Sequence, residues 1–435
     1  MQRNLISGTM KMNNKILSLT VALVLATSTF AVNVETDRTW YLAGEPMKVS
    51  VTIDDAFIAY AELCDMQGLA AGIVVSVKGG TGTGVIELPS TLHSGYYVLS
   101  AYTRNNDSVA QRLVAVVNPL QKSSDDDIEW VSGDSSWVSQ AAESSGWVSY
   151  EGTLNLTSKK DVDVRETEGH IIKARVKNVY DGNSFNGNQI CPSLSIIGKQ
   201  IHYFEGKMEN DSTAVFYTYG IHGKQPLVLS ARSSTGVSLP IEMISPFATL
   251  LPKTLPHLVF HYNRSEVEAR SLDMQRHQLA ISSAKRDDST SDDTAEDFVP
   301  LDYDETVYET KPELSYNLDE YRQFLTIREV LLEYVMFVRK TKVNGIQQLI
   351  VRKEQENFNQ IMPTLVLIDG MPVFDVERLL DYDARRVHYI NIYGDQYMFG
   401  NGLYNGILSF VTRSGRLTNY PIERNMQYLV YDFPK

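Results

Sequence analysis

Pro363-Thr-Leu-Val-Leu-Ile-Asp369-Gly370-Met-Pro-Val-Phe374 is followed by Asp375-Val-Glu-Arg-Leu-Leu380, then by Val387-His-Tyr-Ile-Asn-Ile392, then by Gly400-Asn-Gly402-Leu-Tyr-Asn-Gly406-Ile-Leu-Ser-Phe-Val-Thr412-Arg-Ser-Gly415. Thr364 to Ile368 is a short apolar run ended by Asp-Gly. That dipeptide accepts positive φ at little cost, so it turns one strand into the next. Asp375 is placed to cap a short helix with Val376, Leu379 and Leu380 on one face. Val387 to Ile392 alternates as a strand does. The glycines at 400, 402 and 406 loosen the backbone before a last strand, Ile407 to Thr412. The predicted order is strand, turn, strand, helix, strand, glycine loop, strand.

Working outward, Thr326-Ile-Arg-Glu329 is a capping box, with the hydroxyl at the N-cap and the carboxylate three residues on. Ile327, Val330, Leu331, Tyr334 and Val335 follow at helical spacing and define one buried face. Strands are expected at Phe337 to Arg339 and Leu349 to Arg352. This unit runs over 316–435. Ahead of it, 251–315 reads as a connector. Its last part holds ten acids and no Lys or Arg between Asp287 and Glu309, a composition that buries too little apolar surface to order itself. His257 and His261 lie four apart without a third ligand, which argues against a metal site.

Two β domains come earlier. Over 33–118, Met47 to Ile53, Gly84 to Leu88, Tyr96 to Tyr102 and Arg112 to Val117 are strand-like, with turn residues between them. Over 147–250, the strands are Gly169 to Val176, Leu194 to Ile197, Thr213 to Tyr217 and Gln225 to Ser230. Residues 119–146 between them read as a Ser- and Asp-rich linker, with Trp-Val-Ser copies at Trp130 and Trp137 and a third at Trp147. Gly79-Gly-Thr-Gly-Thr-Gly84 lacks the Lys and the following helix of a phosphate loop, so it reads as a connection between strands.

The 435 residues carry 40 basic and 53 acidic side chains, a net charge of −13. That excludes the basic footprint of a nucleic-acid binder. Lys11 and Lys15 before the apolar run Ile16 to Ala26, with small residues up to Ala31, read as a signal peptide over 1–31. The run is shorter than the roughly 20 residues of a membrane span, so the mature chain is expected to be exported without a transmembrane segment. No nucleophile–base set, zinc signature or paired-carboxylate motif emerges, so neither enzyme activity nor a cofactor is expected.

The C-terminal pieces resemble the plug domain of TonB-dependent outer-membrane receptors. The residues that carry this are Leu365 to Val373, Tyr389-Ile-Asn-Ile392 and Tyr404 to Gly415. Only 20 residues follow Gly415, too few for a barrel of about 8 strands, so the expectation is a plug-like unit that does not transport by itself. Residues 33–118 resemble a macroglobulin domain of the α2-macroglobulin superfamily, through Thr36-Asp-Arg-Thr-Trp-Tyr-Leu-Ala-Gly-Glu-Pro46, Glu87-Leu-Pro and Ser94 to Thr103. The family's Cys-Gly-Glu-Gln thioester is absent, because the cysteines read Cys64-Asp-Met-Gln and Cys191-Pro-Ser-Leu. The order of domains is similar to a Bacteroidota group of exported proteins with sandwich domains ahead of a barrel-less plug-like domain.

These resemblances imply two immunoglobulin-like all-β sandwiches followed by a small α+β plug-like domain. They imply a non-enzymatic binding or scaffolding protein of the periplasm or outer membrane, docking a protein partner such as a barrel supplied in trans. The alternatives are a thioester-less protease-inhibitor relative and a periplasmic enzyme of unrecognised type. The expected contact residues are Asp369 and Gly370 of the turn with Tyr397, Phe399, Gly400, Asn401, Gly402 and Tyr404 of the glycine loop, although turn chemistry alone explains both. A second candidate, Asp304-Glu305-Thr306-Val307-Tyr308, resembles a TonB box and would offer a strand for β-augmentation; a plain linker is its alternative.

Overall fold

The protein is described from a computed structural model. It covers residues 32–139, 166, 169–289, 307, 310–351 and 363–434, without residues 55, 105–107, 122, 181, 344–345, 400–401 and 418. The expected signal peptide, Trp147 and most of the acidic run lie outside the described residues.

The first sandwich faces a three-stranded sheet against a five-stranded one. Pro46–Thr52 is the centre of the smaller sheet, between Asn33–Thr36 and Thr81–Glu87. The larger sheet runs Trp40–Leu42, Val109–Val117, Gly95–Tyr102, Ile58–Cys64, Leu69–Ser76. Alternation explains the core: Met47, Val49 and Val51 point inward with Ile86, against Tyr41, Leu63, Leu99, Val114 and Val116. Ile58–Cys64 is buried at every position, so it shows no period of two, and alternation does not find it in the sequence.

The second sandwich pairs a four-stranded sheet (Lys207–Met208, Thr213–Thr218, His170–Val176, Ile241–Met243) with one built on Ile190–Ile196 and Gly223–Ser233. The last strand of the chain, Gln427–Phe433, joins that second sheet. It pairs antiparallel along Gly223–Ser233, from Gly223 opposite Phe433 to Leu229 opposite Gln427. Tyr431 and Phe433 enter the core beside Leu227 and Phe216. The expected boundary, which kept 316–435 together, is corrected here. Tyr431 and Phe433 have core positions waiting in the second sandwich, and the edge of Gly223–Ser233 supplies their backbone partners.

The expected linker is also corrected. Ile128–Ser132 and Trp137–Val138, which hold two of the Trp-Val-Ser copies, flank Leu258–Tyr262 in a third sheet. Phe260 and Leu258 pack on Trp40, Leu42, Tyr96 and Val117, so this sheet covers the outer face of the first sandwich. Arg264–Ser289 is a helix, not an unstructured connector. Asn263 accepts from the Glu266 amide at 3.2 Å as its cap. Arg270 lies 3.7 Å over the Trp40 ring and donates to Glu45, which pins the helix to the sandwich.

In the C-terminal unit, Leu314–Asn317, Val387–Phe399, Gly402–Thr412, Leu365–Ile368 and Met371–Pro372 form one sheet in that order. Thr326 accepts from Glu329 in the expected capping box of the helix Ile327–Glu333. Asp375 accepts from the Arg378 amide to cap Val376–Leu380. Ile327, Val330, Val376, Leu379 and Leu380 all join the core of this unit. Val338–Val343 and Ile346–Val351 pair as a hairpin.

Candidate functional site

The junction between the two sandwiches holds a cluster of buried ionisable side chains. Tyr60 and Arg104 come from the first sandwich, and Glu166, His170 and Tyr431 from the second and its added strand. The Tyr60 hydroxyl donates to Glu166 Oε1 at 2.7 Å, Arg104 donates to the same oxygen at 3.2 Å, and the Ile171 amide donates to it at 3.0 Å. His170 Nε2 lies 2.6 Å from the Tyr431 hydroxyl, and Arg104 sits 4.7 Å over the Tyr60 ring. Burial alone would raise the Glu166 carboxyl; the hydrogen bond from His170 and the Arg104 charge outweigh it and hold the group below the usual range. Burial lowers His170, so its ring is neutral near pH 7. This set contains a base, an acid and a cation, yet Tyr60, His170 and Glu166 are at most 4% exposed. Each group answers another, and together they weld the sandwiches. Next to it, Glu62 accepts from Tyr102 and from the Thr249 and Leu250 amides, while the Phe247 ring fills the space over Gly72, where a Cβ would lie 2.6 Å from it.

The second junction joins the C-terminal unit to the second sandwich, and here the expected contact residues are found. Asp369 and Gly370 form the two-residue turn at φ 46° and 83°. The turn is buried: Gly198 donates to the Asp369 carbonyl at 3.0 Å, and a Cβ on Gly370 would stand 2.6 Å from the Ile196 carbonyl. The Asp369 carboxylate accepts from the Thr412 amide at 2.7 Å, the Thr412 hydroxyl at 2.5 Å and the Leu417 amide at 2.7 Å. Burial pushes it up to about 6 against those bonds. This turn is an internal clamp, and its reading as a partner surface is corrected.

The glycine loop is shorter than expected. Val387–Phe399 and Gly402–Thr412 pair until Phe399 faces Gly402, with an irregularity between Tyr393 and Gln396. Gly406 sits at that irregularity with φ 84°, its missing Cβ leaving room for the Tyr393 carbonyl. Tyr397 and Phe399 are buried with Tyr203, and the partly buried Tyr404 packs against them. The Tyr404 hydroxyl donates to Glu205 at 3.4 Å, and a Cβ on Gly402 would collide with the Glu205 carboxylate. So the second sandwich already occupies the expected contact face of Tyr397, Phe399, Gly402 and Tyr404. Gly400 and Asn401 lie outside the described residues. So do Asp304, Glu305, Thr306 and Tyr308, while Val307 is buried against the same aromatic cluster and bonded to Thr310. It is not an exposed strand residue. Cys64 is buried and Cys191 exposed, both as free thiols. Among the described residues, no group of three or more His, Cys, Asp or Glu side chains is arranged to hold a metal, and no helix is long and apolar enough to cross a membrane.

A cleft of about 620 Å³ opens where the first sandwich meets the last strand. Its floor is the outward side of the three-stranded sheet, where Glu35 stands opposite Ser50, Ser50 opposite Thr83, and Lys48 opposite Val85. Its walls are Ile73 to Val75 on one side and Lys224, Asp432 and Phe433 on the other. Gly82 and Gly84 matter to this shape: a Cβ on either would lie under 3 Å from Val75 or Ile73, so the glycines let Thr81–Glu87 press onto Leu69–Ser76. The sequence does not reveal the cleft, because one wall of it comes from Lys224 and from Asp432 and Phe433, far along the chain from the sandwich that supplies the rest. The one local signal was the Gly-Thr-Gly-Thr-Gly run, whose glycines face inward and whose threonines face outward.

No family model matches the chain, and no curated protein matches it. Among solved structures, a biofilm-associated protein BSP domain is similar at 12% identity and TM-score 0.17, over 52% of this chain and 30% of that one. The native conformation of Escherichia coli alpha-2-macroglobulin is similar at 11% identity and TM-score 0.19, over 51% of this chain and 14% of that one. The Escherichia coli adhesin FdeC is similar at 11% identity and TM-score 0.16, over 51% and 62%. The chain thus spans less than a third of the first two. Likenesses at these TM-scores carry no weight for fold or activity.

Proposed function

We propose that this chain is an exported, non-catalytic binding and scaffolding protein of the periplasm or outer membrane. The observation that carries this is the cleft of about 620 Å³ on a rigid support. Its two sides belong to different sandwiches, and the buried Tyr60–Glu166–Arg104 contacts hold those sandwiches in one relation. A ligand-sized concavity between fixed β units is where binding proteins place their sites. The plug-like C-terminal unit suggests an outer-membrane barrel as one partner. Such docking would use a face other than the buried Asp369-Gly370 turn and the side of this hairpin formed by Tyr397, Phe399, Gly402 and Tyr404, which packs on the second sandwich.

The test is crosslinking of tagged protein, Val32 to Lys435, in its native envelope followed by pull-down. A stoichiometric barrel protein supports docking in trans. Recovery of soluble exported proteins alone moves the function to the sandwiches. No stoichiometric partner overturns the binding reading.

A further inference from the structure

The cleft has two features that together specify a class of ligand. First, its lining residues come as consecutive runs, such as Thr83-Gly84-Val85 and Ile73-Val74-Val75. Such runs bring backbone as well as side chains to the cleft, and the central strand adds one of its own, Lys48-Val49-Ser50. The first two runs, and the third wall, belong to sheet edges. Among the described residues, Thr81–Glu87 forms a ladder only with Pro46–Thr52, apart from a single bridge between Thr81 and Lys78, Leu69–Ser76 only with Ile58–Cys64, and Gln427–Phe433 only with Gly223–Ser233. An edge offers N–H and C=O groups at the repeat of an extended chain, the template for strand addition. Second, the lining is acidic: Glu35, Asp37, Glu87 and Asp432 stand against Lys48 and Lys224. Asp37 is engaged by Tyr41 and the Lys48 amide, Glu87 by His277, and Glu35 by the Asn33 side-chain amide at 3.3 Å; Glu35 and Asp432, on opposite sides of the cleft, are the carboxylates on which discrimination is tested. Val85 of the same lining is 41% exposed and gives an apolar side chain somewhere to rest.

We propose that this cleft binds an extended polypeptide segment carrying basic side chains, added as a strand to the edge of Thr81–Glu87. The proposal rests on the binding reading above and names its ligand. Backbone pairing supplies affinity without sequence, and the acids select Lys or Arg at alternate positions, since successive side chains of a strand face opposite ways.

The experiment selects from a positional-scanning library of acetylated, amidated hexapeptides with the full-length mature protein. The expected result is enrichment of Lys or Arg at alternate positions. Glu35→Lys and Asp432→Lys should each weaken the selected peptide at least about fivefold with an unchanged melting temperature. N-methylation of alternate peptide amides should weaken it about tenfold in one register and little in the other. Enrichment of acidic or purely apolar peptides, indifference to N-methylation in both registers, or no enrichment at any position each overturns it. The two readings fail separately. If the two charge-reversal variants still recover the envelope partner while no peptide is selected, the cleft proposal falls and the binding reading stands. If peptides are selected but the envelope yields no stoichiometric partner, the binding reading falls and the cleft's peptide chemistry stands.

Discussion

Asp369 shows how a residue with a functional look can be spent entirely on the fold. Its carboxylate satisfies two buried amides and a buried hydroxyl. Asp369→Ala would leave those donors without partners, and buried unsatisfied donors cost about 1–3 kcal/mol each. A loss of about 3–5 kcal/mol is expected for the C-terminal unit, read as a fall in its denaturation midpoint. Gly370→Ala would meet both a positive φ and the Ile196 carbonyl, so it should also destabilise, by about 1–3 kcal/mol. Glu205 gives a pH signature. Burial pushes its carboxyl up to about 7 against the bonds from Tyr404 and the Gly402 amide, whereas an unfolded glutamate titrates near about 4.3. The folded state therefore holds the proton more tightly. Its stabilising contribution is complete below the unfolded value and is lost as pH rises through 7. Glu205→Gln should flatten the melting temperature between about pH 5 and pH 8; an unchanged profile would show that Glu205 is not the group responsible.

Elements with a clean local pattern were legible in the sequence. The Thr326 capping box, the Asp375 cap and the Asp369-Gly370 turn depend on neighbours within a few residues, and all three are formed as expected. The helix Arg264–Ser289 was not found, because its stability is tertiary. Its exposed Leu272 and Leu279 blur any apolar stripe, and Arg270 anchors it through Trp40 and Glu45, about 225 residues away. Arg270→Lys keeps the charge but loses the planar fork and the stacking. It should speed amide hydrogen exchange over the helix's first turns, and Arg270→Ala should speed it further. Equal protection in both variants and the wild type would mean that the Val267 and Met274 side chains suffice to hold the helix. The strands around the Trp-Val-Ser copies were missed for a related reason. Surrounding Ser and Asp residues disguise Ile128–Ser132 as linker, and only the apolar Leu258–Tyr262 strand beside it makes the pairing worthwhile.

At the scale of the whole molecule, chain order and spatial order part company at the last strand. Gln427–Phe433 follows the C-terminal unit in sequence, yet it hydrogen-bonds along seven residues of Gly223–Ser233. Nothing in Gln-Tyr-Leu-Val-Tyr-Asp-Phe names its partner, since edge pairing is decided by which sheet has an open side and room for the inward residues. The consequence is mechanical. The strand places Tyr431 against His170 at the sandwich junction and Asp432 in the cleft wall, so one segment closes the second core, joins the weld and shapes the cleft. Deleting 427–435 should therefore act at a distance from the C-terminal sheet. Leu227 and Phe216 would lose the cover of Phe433, the Gly223–Ser233 edge would lose its ladder, and His170 would lose its hydroxyl partner. The expected outcome is a new early unfolding transition, with hydrogen exchange accelerated in His170–Val176 and Gly223–Ser233 but near wild type in Leu365–Ile368 and Gly402–Thr412. Tyr431→Phe separates the contributions. It removes the hydroxyl and keeps the packing, so it should weaken the junction by about 1–3 kcal/mol while leaving the second core intact. Loss of protection confined to the C-terminal sheet in the deletion would instead mean that this strand stabilises its sequence neighbours, and the domain boundary would return to where the chain order puts it.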